Sequence, residues 1–221
     1  MARRCLLLYY ITDRHAFPGD EAGRRQHLLK KIAEAAHAGV DYIQLREKDL
    51  STRELEWMAR EALRVVRGSR HPEHRPALLI NSRTDIAIAT GTHGVHLRAD
   101  DISPSDVSAI WKSATELGRK QSTPLVGVSC HSVEEVAKAG SSGATFAVFA
   151  PVFEKKNAPE IQARGLQVLQ KACQQKIPVL ALGGVTLENC GLCLDAGASG
   201  IAAIRLFQEN AVAEIVSKLR S

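Results

Sequence analysis

Ile177-Pro-Val-Leu-Ala-Leu-Gly-Gly184 combines a short apolar run with two glycines. The run 179–182 follows Pro178 and ends at the glycine pair, which is typical of a strand buried on both faces. A helix is predicted from about Leu187, so the glycines lie between a strand end and a helix N-terminus. Backbone N–H groups at such a turn point toward a ligand, and the helix dipole favours an anion there. The stretch therefore predicts a buried parallel strand followed by a phosphate site.

Similar apolar runs recur along the whole chain and alternate with amphipathic segments. Strands are predicted at 6–12, 40–45, 77–81, 94–97, 125–129, 145–149, 179–182 and 200–204. Helical patterns fall near 21–38, 51–68, 83–90, 104–118, 132–141, 163–175, 187–196 and 208–219. Strict alternation of eight strands with eight helices predicts a parallel sheet.

An internal repeat indicates that this sheet closes on itself. Gly39, Gly91, Gly143 and Gly197 each follow a predicted helix and precede a predicted strand, at intervals of 52, 52 and 54 residues. Each interval holds two strand–helix units, so the chain divides into four quarters of a barrel. We therefore expect one (β/α)8 TIM barrel domain over residues 1–221. The loops after the last two strands of such a barrel are the usual phosphate site.

The charge pattern bears on the partners. The 221 residues carry a formal net charge of +5, but the aromatic content is only 5% and the basic residues are scattered among acidic ones. This pattern favours a phosphorylated small-molecule substrate over nucleic acid. No apolar run is long enough for a membrane span, so no membrane partner is expected. A homo-oligomer is compatible with the sequence.

The five cysteines, Cys5, Cys130, Cys173, Cys190 and Cys193, are odd in number and irregularly spaced, and no signal peptide is recognisable. Reduced thiols and a cytoplasmic location are expected. Cys190-Gly-Leu-Cys193 has the spacing of a redox motif, but it falls inside a predicted helix and no second ligand pair exists. A structural pair is favoured over a redox or zinc site.

Polar residues at the carboxyl ends of the strands are the candidate active site, because barrel enzymes place their chemistry there. Alternation after strand 2 would put Gln44, Arg46 and Lys48 on one side, and this set suits a diphosphate. The alternative is a solvated loop held by salt bridges. Asp101, after strand 4, is a candidate Mg²⁺ ligand, because carboxylate and diphosphate oxygens complete an octahedral shell. The alternative is that Asp101 helps to cap the helix that starts around Pro104.

Two further side chains, Ser129 and His96, have two interpretations each. Ser129 could hydrogen-bond a substrate or simply cap its strand. His96 alternates with apolar neighbours, so it serves either as an acid–base group or as a satisfied side chain inside the barrel. His131, after strand 5, is the second acid–base candidate. No Ser-His-Asp order, HExxH or Walker A sequence is present, so hydrolase and NTPase functions have no local support.

At these residues the chain resembles the thiamine phosphate synthase family, including its thiazole tautomerase-like branch. The similar segments span nearly the whole chain in order: Tyr42-Ile-Gln-Leu-Arg-Glu-Lys48, Leu79-Ile-Asn81, Gly94-Val-His-Leu97, Gly127-Val-Ser-Cys-His131, Pro151-Val-Phe153, 177–184 and Ala196-Gly-Ala-Ser-Gly200.

The resemblance implies a transferase of thiamine biosynthesis that joins hydroxymethylpyrimidine diphosphate to a thiazole phosphate with Mg²⁺-assisted loss of diphosphate. It implies that Gln44, Arg46, Lys48, Asn81 and Ser129 hold the pyrimidine diphosphate. Asp101 would bind Mg²⁺, and Gly184 with Ile204 would hold the thiazole phosphate, next to Gly183. Catalysis would rest on positioning and on stabilising the leaving group.

The chain departs from the family pattern at several of these positions. Ser82 stands where an Asp usually helps to hold Mg²⁺, and Arg98-Ala99 replaces the usual Gly-Gln. Lys156 is the candidate replacement for a diphosphate-binding lysine, and Arg205 replaces a small hydroxyl residue near the phosphate site.

These departures leave two alternatives beside the synthase. Asn81-Ser82 and the residues after it resemble the tautomerase-like branch, whereas Pro151 resembles the synthases. The first alternative is a metal-independent thiazole tautomerase with His131 or His96 as proton carrier. The second is a non-catalytic thiamine phosphate-binding protein.

Overall fold

The computed structural model describes residues 6–69, 75–118, 122–154 and 162–221. Eight parallel strands within these ranges close into a barrel in chain order, with β8 pairing back onto β1. They are β1 Leu7–Ile11, β2 Tyr42–Leu45, β3 Ala77–Asn81, β4 Gly94–Leu97, β5 Leu125–Cys130, β6 Phe146–Phe149, β7 Val179–Ala181 and β8 Gly200–Ala203. The (β/α)8 barrel predicted from the alternation is confirmed.

Helices follow every strand and cover the outside of the barrel. They are α1 Glu21–Ala38, α2 Thr52–Arg67, α3 Thr84–Thr90, α4 Pro104–Glu116, α5 Val133–Ser141, α6 Leu166–Cys173, α7 Cys190–Asp195, α8 Arg205–Gln208 and α9 Val212–Arg220, with a 3-10 turn at Arg14–Ala16.

Two helix predictions after the last strands were wrong in detail. The helix expected from about Leu187 begins at Cys190, because Asn189 first closes a turn by accepting a hydrogen bond from the Thr186 N–H. The last helix begins at Val212 rather than near residue 208, and the short helix α8 was not predicted. The segment from the end of β7 to α7 is therefore longer and more irregular than the periodicity indicated.

The core has two parts, as the alternation of side chains along each strand requires. Inside the barrel, Tyr9, Leu79, Phe146, Val148 and Leu180 form one buried cluster. A larger cluster lies between the strands and the helices and includes Leu8 and Tyr10, the neighbours of Tyr9. Strand β7 is buried on both faces, as predicted, because all three of its residues are buried.

The four glycines of the internal repeat all adopt positive φ, at +84° for Gly39, +69° for Gly91, +87° for Gly143 and +99° for Gly197. Each lies just after a helix, where a left-handed residue lets the chain turn back toward the barrel. The repeat therefore reflects one turn geometry used four times.

Cys130, Cys173, Cys190 and Cys193 are free thiols. Burial raises the pKa of Cys193 to about 12, so its thiolate is disfavoured at neutral pH. Its partner in the C-x-x-C segment, Cys190, donates from Sγ to the Leu187 carbonyl. These contacts support the structural interpretation of the pair. Within the described ranges, the helices are all too short or too polar to cross a bilayer.

Candidate active site

A cavity of about 1050 Å³ opens at the carboxyl ends of the strands. It gathers most of the residues predicted for the site: Gln44, Arg46, Lys48, Asn81, His96, Ser129, His131, Gly183, Gly184, Ile204 and Arg205. Asp101 is not part of its lining, whereas Arg98 is. Lys156 lies outside the described residues. Residues from six strands or the loops after them, β2 to β5, β7 and β8, therefore converge on one cavity.

A directed chain of hydrogen bonds runs along one wall. Gln44 Nε2 donates to Asn81 Oδ1 at 2.8 Å, and Asn81 Nδ2 donates to Ser82 Oγ at 3.2 Å. Ser82 in turn donates to Asp101 Oδ2 at 2.6 Å. Each group thus faces its neighbour with a defined donor and acceptor. This row of hydrogen bonds gives Gln44 Oε1 no partner among the described residues, so that oxygen is available to a ligand.

Ser82 carries unusual backbone strain for its residue type. Its φ is +57°, the left-handed region that non-glycine residues other than Asn and Asp seldom adopt. The cost of such a conformation is of order 1–3 kcal/mol and is met by surrounding contacts. Two contacts hold Ser82 there: its N–H donates to the His96 carbonyl at 2.9 Å, and its hydroxyl donates to Asp101.

The Asp101 carboxylate is fully occupied by protein donors. Oδ2 accepts the Arg98 N–H at 2.8 Å as well as the Ser82 hydroxyl, and Oδ1 accepts Arg98 Nε at 3.3 Å and Nη2 at 3.2 Å. Burial raises the pKa of Asp101, but the hydrogen bonds from Ser82 and Arg98 outweigh it and hold the pKa below its ordinary value. Asp101 does not cap α4; Ser103 does, in a capping box with Asp106.

The donor set around Asp101 does not fit a divalent cation. Mg²⁺ takes oxygen ligands and is usually held by one or two carboxylates. Here the Asp101 carboxylate is paired with a guanidinium, and Ser82, whose hydroxyl donates its proton to that carboxylate, supplies no second one. The described part of the chain contains no group of three His, Cys, Asp or Glu side chains that could hold a metal ion.

Arg46 and Lys48 have no protein counter-ion among the described residues. The pKa of Lys48 is lowered, first by the charge of Arg46, then by burial and by the charge of Arg98. Like charges held together without anions destabilise one another. The cavity therefore presents an unneutralised positive rim, which an anionic ligand would relieve.

A buried ion cluster fixes the loop that carries these cations. Arg14 Nη1 donates to Glu47 Oε2 at 3.1 Å and to Asp49 Oδ1 at 2.7 Å, and the Arg14 side chain is only 3% exposed. Thr12 donates to Glu47 Oε1 at 2.6 Å and accepts the Arg46 N–H at 3.0 Å. Burial raises the pKa of Glu47, against the opposing hydrogen bonds from Thr12 and Arg14. The cluster anchors Glu47, the residue between the two cations.

A second polar chain runs from the barrel interior to the cavity floor. The Tyr9 hydroxyl lies 3.1 Å from His96 Nδ1, and His96 Nε2 lies 2.9 Å from Ser129 Oγ. Gly127 makes room for the imidazole, because a Cβ there would lie 2.8 Å from His96 Nδ1. Burial, followed by the charge of Arg46, lowers the pKa of His96 to about 3. His96 is neutral at physiological pH and points into the barrel.

The satisfaction of buried donors fixes the direction of this chain. Burial raises the pKa of Tyr9 well above its ordinary value, so its hydroxyl keeps its hydrogen. Its hydrogen-bond partner is His96, so Tyr9 donates to Nδ1 and leaves no buried hydrogen unpaired. The neutral imidazole then carries its proton on Nε2 and donates to Ser129. The Ser129 hydroxyl hydrogen is consequently free to donate into the cavity.

His131 lines the cavity just after β5, two residues beyond Ser129, in a fixed orientation. Its Nδ1 lies 2.7 Å from the Ala150 carbonyl oxygen, which only accepts, so Nδ1 is protonated. Its backbone N–H donates to Glu135 Oε2 at 2.5 Å. Nε2 is thereby left as the ring nitrogen that a ligand meets. Helix α5 itself starts after Ser132, its N-cap.

The glycine pair after β7 forms a cradle of backbone N–H groups. Gly183 and Gly184 have φ of +96° and +65°. A Cβ on Gly184 would lie 2.6 Å from the Glu154 carbonyl oxygen, so the loop after β6 packs directly on it. Asn189 Nδ2 donates to the Gly184 carbonyl at 2.9 Å and fixes the turn. Within the described residues, the N–H groups of Gly183 and Gly184 meet no acceptor.

Helix α8 completes this end of the cavity. Ile204 is its N-cap residue and Arg205 its first residue, and both line the cavity. The first N–H groups of a helix have no partner within it. They therefore add to the donors of the glycine cradle at the ends of β7 and β8, whereas Arg46 and Lys48 follow β2.

Sequence reasoning missed three groups that shape the site. Arg98 was seen only as a departure from a family pattern, although its spacing of three from Asp101 allowed an ion pair. The Arg14–Glu47 pair joins two loops 33 residues apart, for which no local pattern exists. Asn189 lies inside the segment predicted as helix, so its role in the turn was hidden.

The sequence matches the family described as thiamine monophosphate synthase over residues 8–207. It is 37% identical over 203 residues to the putative thiamine-phosphate synthase 2 of Aquifex aeolicus, covering 91% of this chain and 97% of that one. It is 33% identical over 198 residues to the thiamine-phosphate synthase of Clostridium acetobutylicum, covering 89% and 84%.

The solved structure of a thiamine phosphate pyrophosphorylase from Pyrococcus furiosus has the same fold. It superimposes with a TM-score of 0.74 at 29% sequence identity, over 97% of this chain and 94% of that chain.

Proposed function

The chain belongs to the thiamine monophosphate synthase family, and we propose that it joins hydroxymethylpyrimidine diphosphate to thiazole phosphate, releasing diphosphate and forming thiamine phosphate. This makes it a transferase of thiamine biosynthesis. The names of the relatives favour this reaction over the tautomerase alternative.

The observation that carries the proposal is the presence of two separate anion sites in one cavity. Arg46 and Lys48 form a positive rim after β2, and neither makes an ion pair with a carboxylate among the described residues. The N–H cradle of Gly183 and Gly184, with the start of α8, lines the same cavity after β7 and β8. Two phosphorylated substrates that react with each other need such an arrangement. A single-substrate tautomerase would need only one of these sites.

The reaction breaks one bond and forms one. The carbon–oxygen bond between the pyrimidine methylene and diphosphate breaks, and its electron pair leaves with the diphosphate. The thiazole nitrogen then donates its lone pair to the methylene carbon, so no external base is required. The negative charge that develops on the leaving group is the charge that the protein must stabilise.

Arg46 and Lys48 bind the diphosphate, and Ser129 donates its free hydroxyl hydrogen toward the same substrate. Gln44 and Asn81 orient the pyrimidine, and the Gly183–Gly184 cradle with Ile204 and Arg205 holds the thiazole phosphate. These roles bring the nitrogen and the methylene carbon together, which is where positioning contributes most.

Two further residues have secondary roles in the proposal. His131, with Nε2 facing the cavity, is the residue that a tautomerase would use. His96 positions Ser129 and exchanges no proton with substrate.

Magnesium is the cofactor that the family carries, and Asp101 is the ligand that the resemblance implies. Since the contacts of Asp101 do not fit a divalent cation, no step above depends on a metal. The cytoplasmic location and a homo-oligomeric assembly stay predictions from the sequence.

The test is a steady-state assay with both half-molecules, with and without Mg²⁺. We expect thiamine phosphate and diphosphate in equal amounts. Arg46→Gln should lower kcat/KM by about 10–100-fold, the effect of losing a charge-assisted hydrogen bond of about 1.5–3 kcal/mol. Lys138→Gln, an exposed change on α5, is the charge-matched control and should leave the rate unchanged.

Absence of product under all conditions would refute the synthase. NMR of thiazole carboxylate phosphate then separates the alternatives, because isomer turnover would establish a tautomerase and binding without turnover would establish a binding protein.

A further inference from the structure

Asp101 and Arg98 form a unit in which the arginine, rather than the carboxylate, faces the cavity. The Asp101 side chain is 12% exposed and the Arg98 side chain 54%. Arg98 contacts Asp101 through its backbone N–H, Nε and Nη2. A cation approaching Asp101 from the cavity would first have to displace this guanidinium.

Ser82 reinforces the same arrangement from the neighbouring strand. Its hydroxyl donates to Asp101 Oδ2 at 2.6 Å, so its proton points away from any metal position. Asp100, the other acidic residue of this loop, lines the cavity, is 74% exposed and lies 3.5 Å from Arg98 Nε. Both acidic residues of this loop are therefore directed at the arginine.

The guanidinium keeps hydrogen-bonding capacity for a ligand. It has five N–H donors in a planar fork, and Asp101 accepts from Nε and Nη2 only. Nη1, with two hydrogens, has no acceptor among the described residues. Arg98 lines the same cavity as Arg46 and Lys48 and acts on Lys48 electrostatically.

We propose that Arg98, anchored on Asp101 and Ser82, occupies the place of a metal ion and binds diphosphate together with Arg46 and Lys48, so that this site takes diphosphate without a divalent cation. The inference rests on the proposed function for the identity of the anion. When the carbon–oxygen bond breaks, the guanidinium N–H groups donate to the oxygens that receive the charge. Arginine suits this role because its planar fork matches phosphate oxygens and it stays charged at all relevant pH values.

The experiment is calorimetric titration of the protein with inorganic diphosphate, in EDTA and again in millimolar Mg²⁺. We expect the wild-type Kd to agree within about twofold between the two conditions. Arg98→Gln should weaken binding in EDTA by about 10–100-fold, the equivalent of one charge-assisted contact. Arg60→Gln is the matched control, because Arg60 pairs with Glu56 on the exposed surface of α2, and its Kd should not change.

A double variant, Ser82→Asp with Arg98→Gln, tests the exchange of arginine for metal directly. It presents two carboxylates and no guanidinium, and Asp tolerates the left-handed backbone of position 82. Diphosphate binding by this variant should become at least about tenfold tighter with Mg²⁺ than with EDTA.

Wild-type binding that is tenfold or more tighter with Mg²⁺, an unchanged Kd for Arg98→Gln, or no diphosphate binding in EDTA would each overturn the inference. The proposed function is judged separately, by thiamine phosphate formation. If thiamine phosphate forms only with Mg²⁺, the arginine site is refuted and the synthase activity is established. If diphosphate binds without metal but no product forms, the arginine site is supported and the synthase activity is refuted.

Discussion

Replacing His96 by Gln should change how stability depends on pH. His96 is buried inside the barrel between Tyr9 and Ser129, and both ring nitrogens are hydrogen-bonded. Gln cannot titrate, yet its amide reaches the position of Nε2. His96→Gln therefore removes the ionisable group and retains a polar partner for Ser129.

The sign of the effect follows from the lowered pKa. The folded protein keeps His96 neutral down to a pKa of about 3. The unfolded chain takes up a proton as the pH falls through about 6.5. In this window the unfolded state binds more protons, so the free energy of unfolding falls as the pH is lowered. When the pH falls from about 7.5 to 4.5, the titration of His96 alone should lower the free energy of unfolding by about 2.6 kcal/mol.

The assay is urea denaturation at half-unit pH steps across that range, for wild type and His96→Gln. All other groups titrate in both proteins, so the difference between the two curves reports His96. We expect the variant to be less stable at pH 7.5, through lost packing, and the gap to narrow by about 2.6 kcal/mol at pH 4.5. His37→Gln, on the exposed surface of α1, controls for the loss of a histidine elsewhere. Parallel wild-type and His96→Gln curves would refute a buried neutral His96.

Two further substitutions test the glycine cradle and the ion cluster. Gly184→Ala should lower the free energy of unfolding in urea by about 2–5 kcal/mol and raise KM for thiazole phosphate, because the cost of positive φ adds to that of a 2.6 Å contact with the Glu154 oxygen. Gly143→Ala, which has positive φ but open space around it, should lower it by only about 1–2 kcal/mol. Equal losses in the two variants would exclude the contact. Arg14→Met should cost about 3–5 kcal/mol by leaving the buried Glu47 carboxylate without its cationic partner. Adding Glu47→Gln should recover part of this loss, and no recovery would contradict the cluster.

The barrel was predictable because its signals are local and repeated. Apolar runs of four to seven residues, each ending at turn-forming residues, located all eight strands to within about two residues. The glycine repeat marked one turn geometry at four places. Helix α8 was not predicted, because a helix of four residues between a strand and a loop is too short to show a periodic pattern.

The candidate site could be predicted only where the interacting residues all follow the same strand. Gln44, Arg46 and Lys48 alternate along a single segment, so their convergence followed from the period of a strand. The Tyr9–His96–Ser129 chain joins three strands and depends on Gly127 to admit the imidazole. Such contacts between strands are set by barrel register, which no local pattern specifies.

The exchange at positions 82 and 98 shows why a pair of departures is more informative than either alone. Ser82 alone, in place of the usual Asp, removes one carboxylate from the site. Asp101 would then still have room beside it for a cation. Arg98 by itself would add positive charge beside a metal and oppose its binding. Together, Ser82 and Arg98 remove one negative charge and supply a fixed positive charge. The total charge presented to diphosphate is then close to that of two carboxylates with a bound metal ion. The two substitutions therefore compensate each other chemically, and a site that had simply lost its function would not require the second.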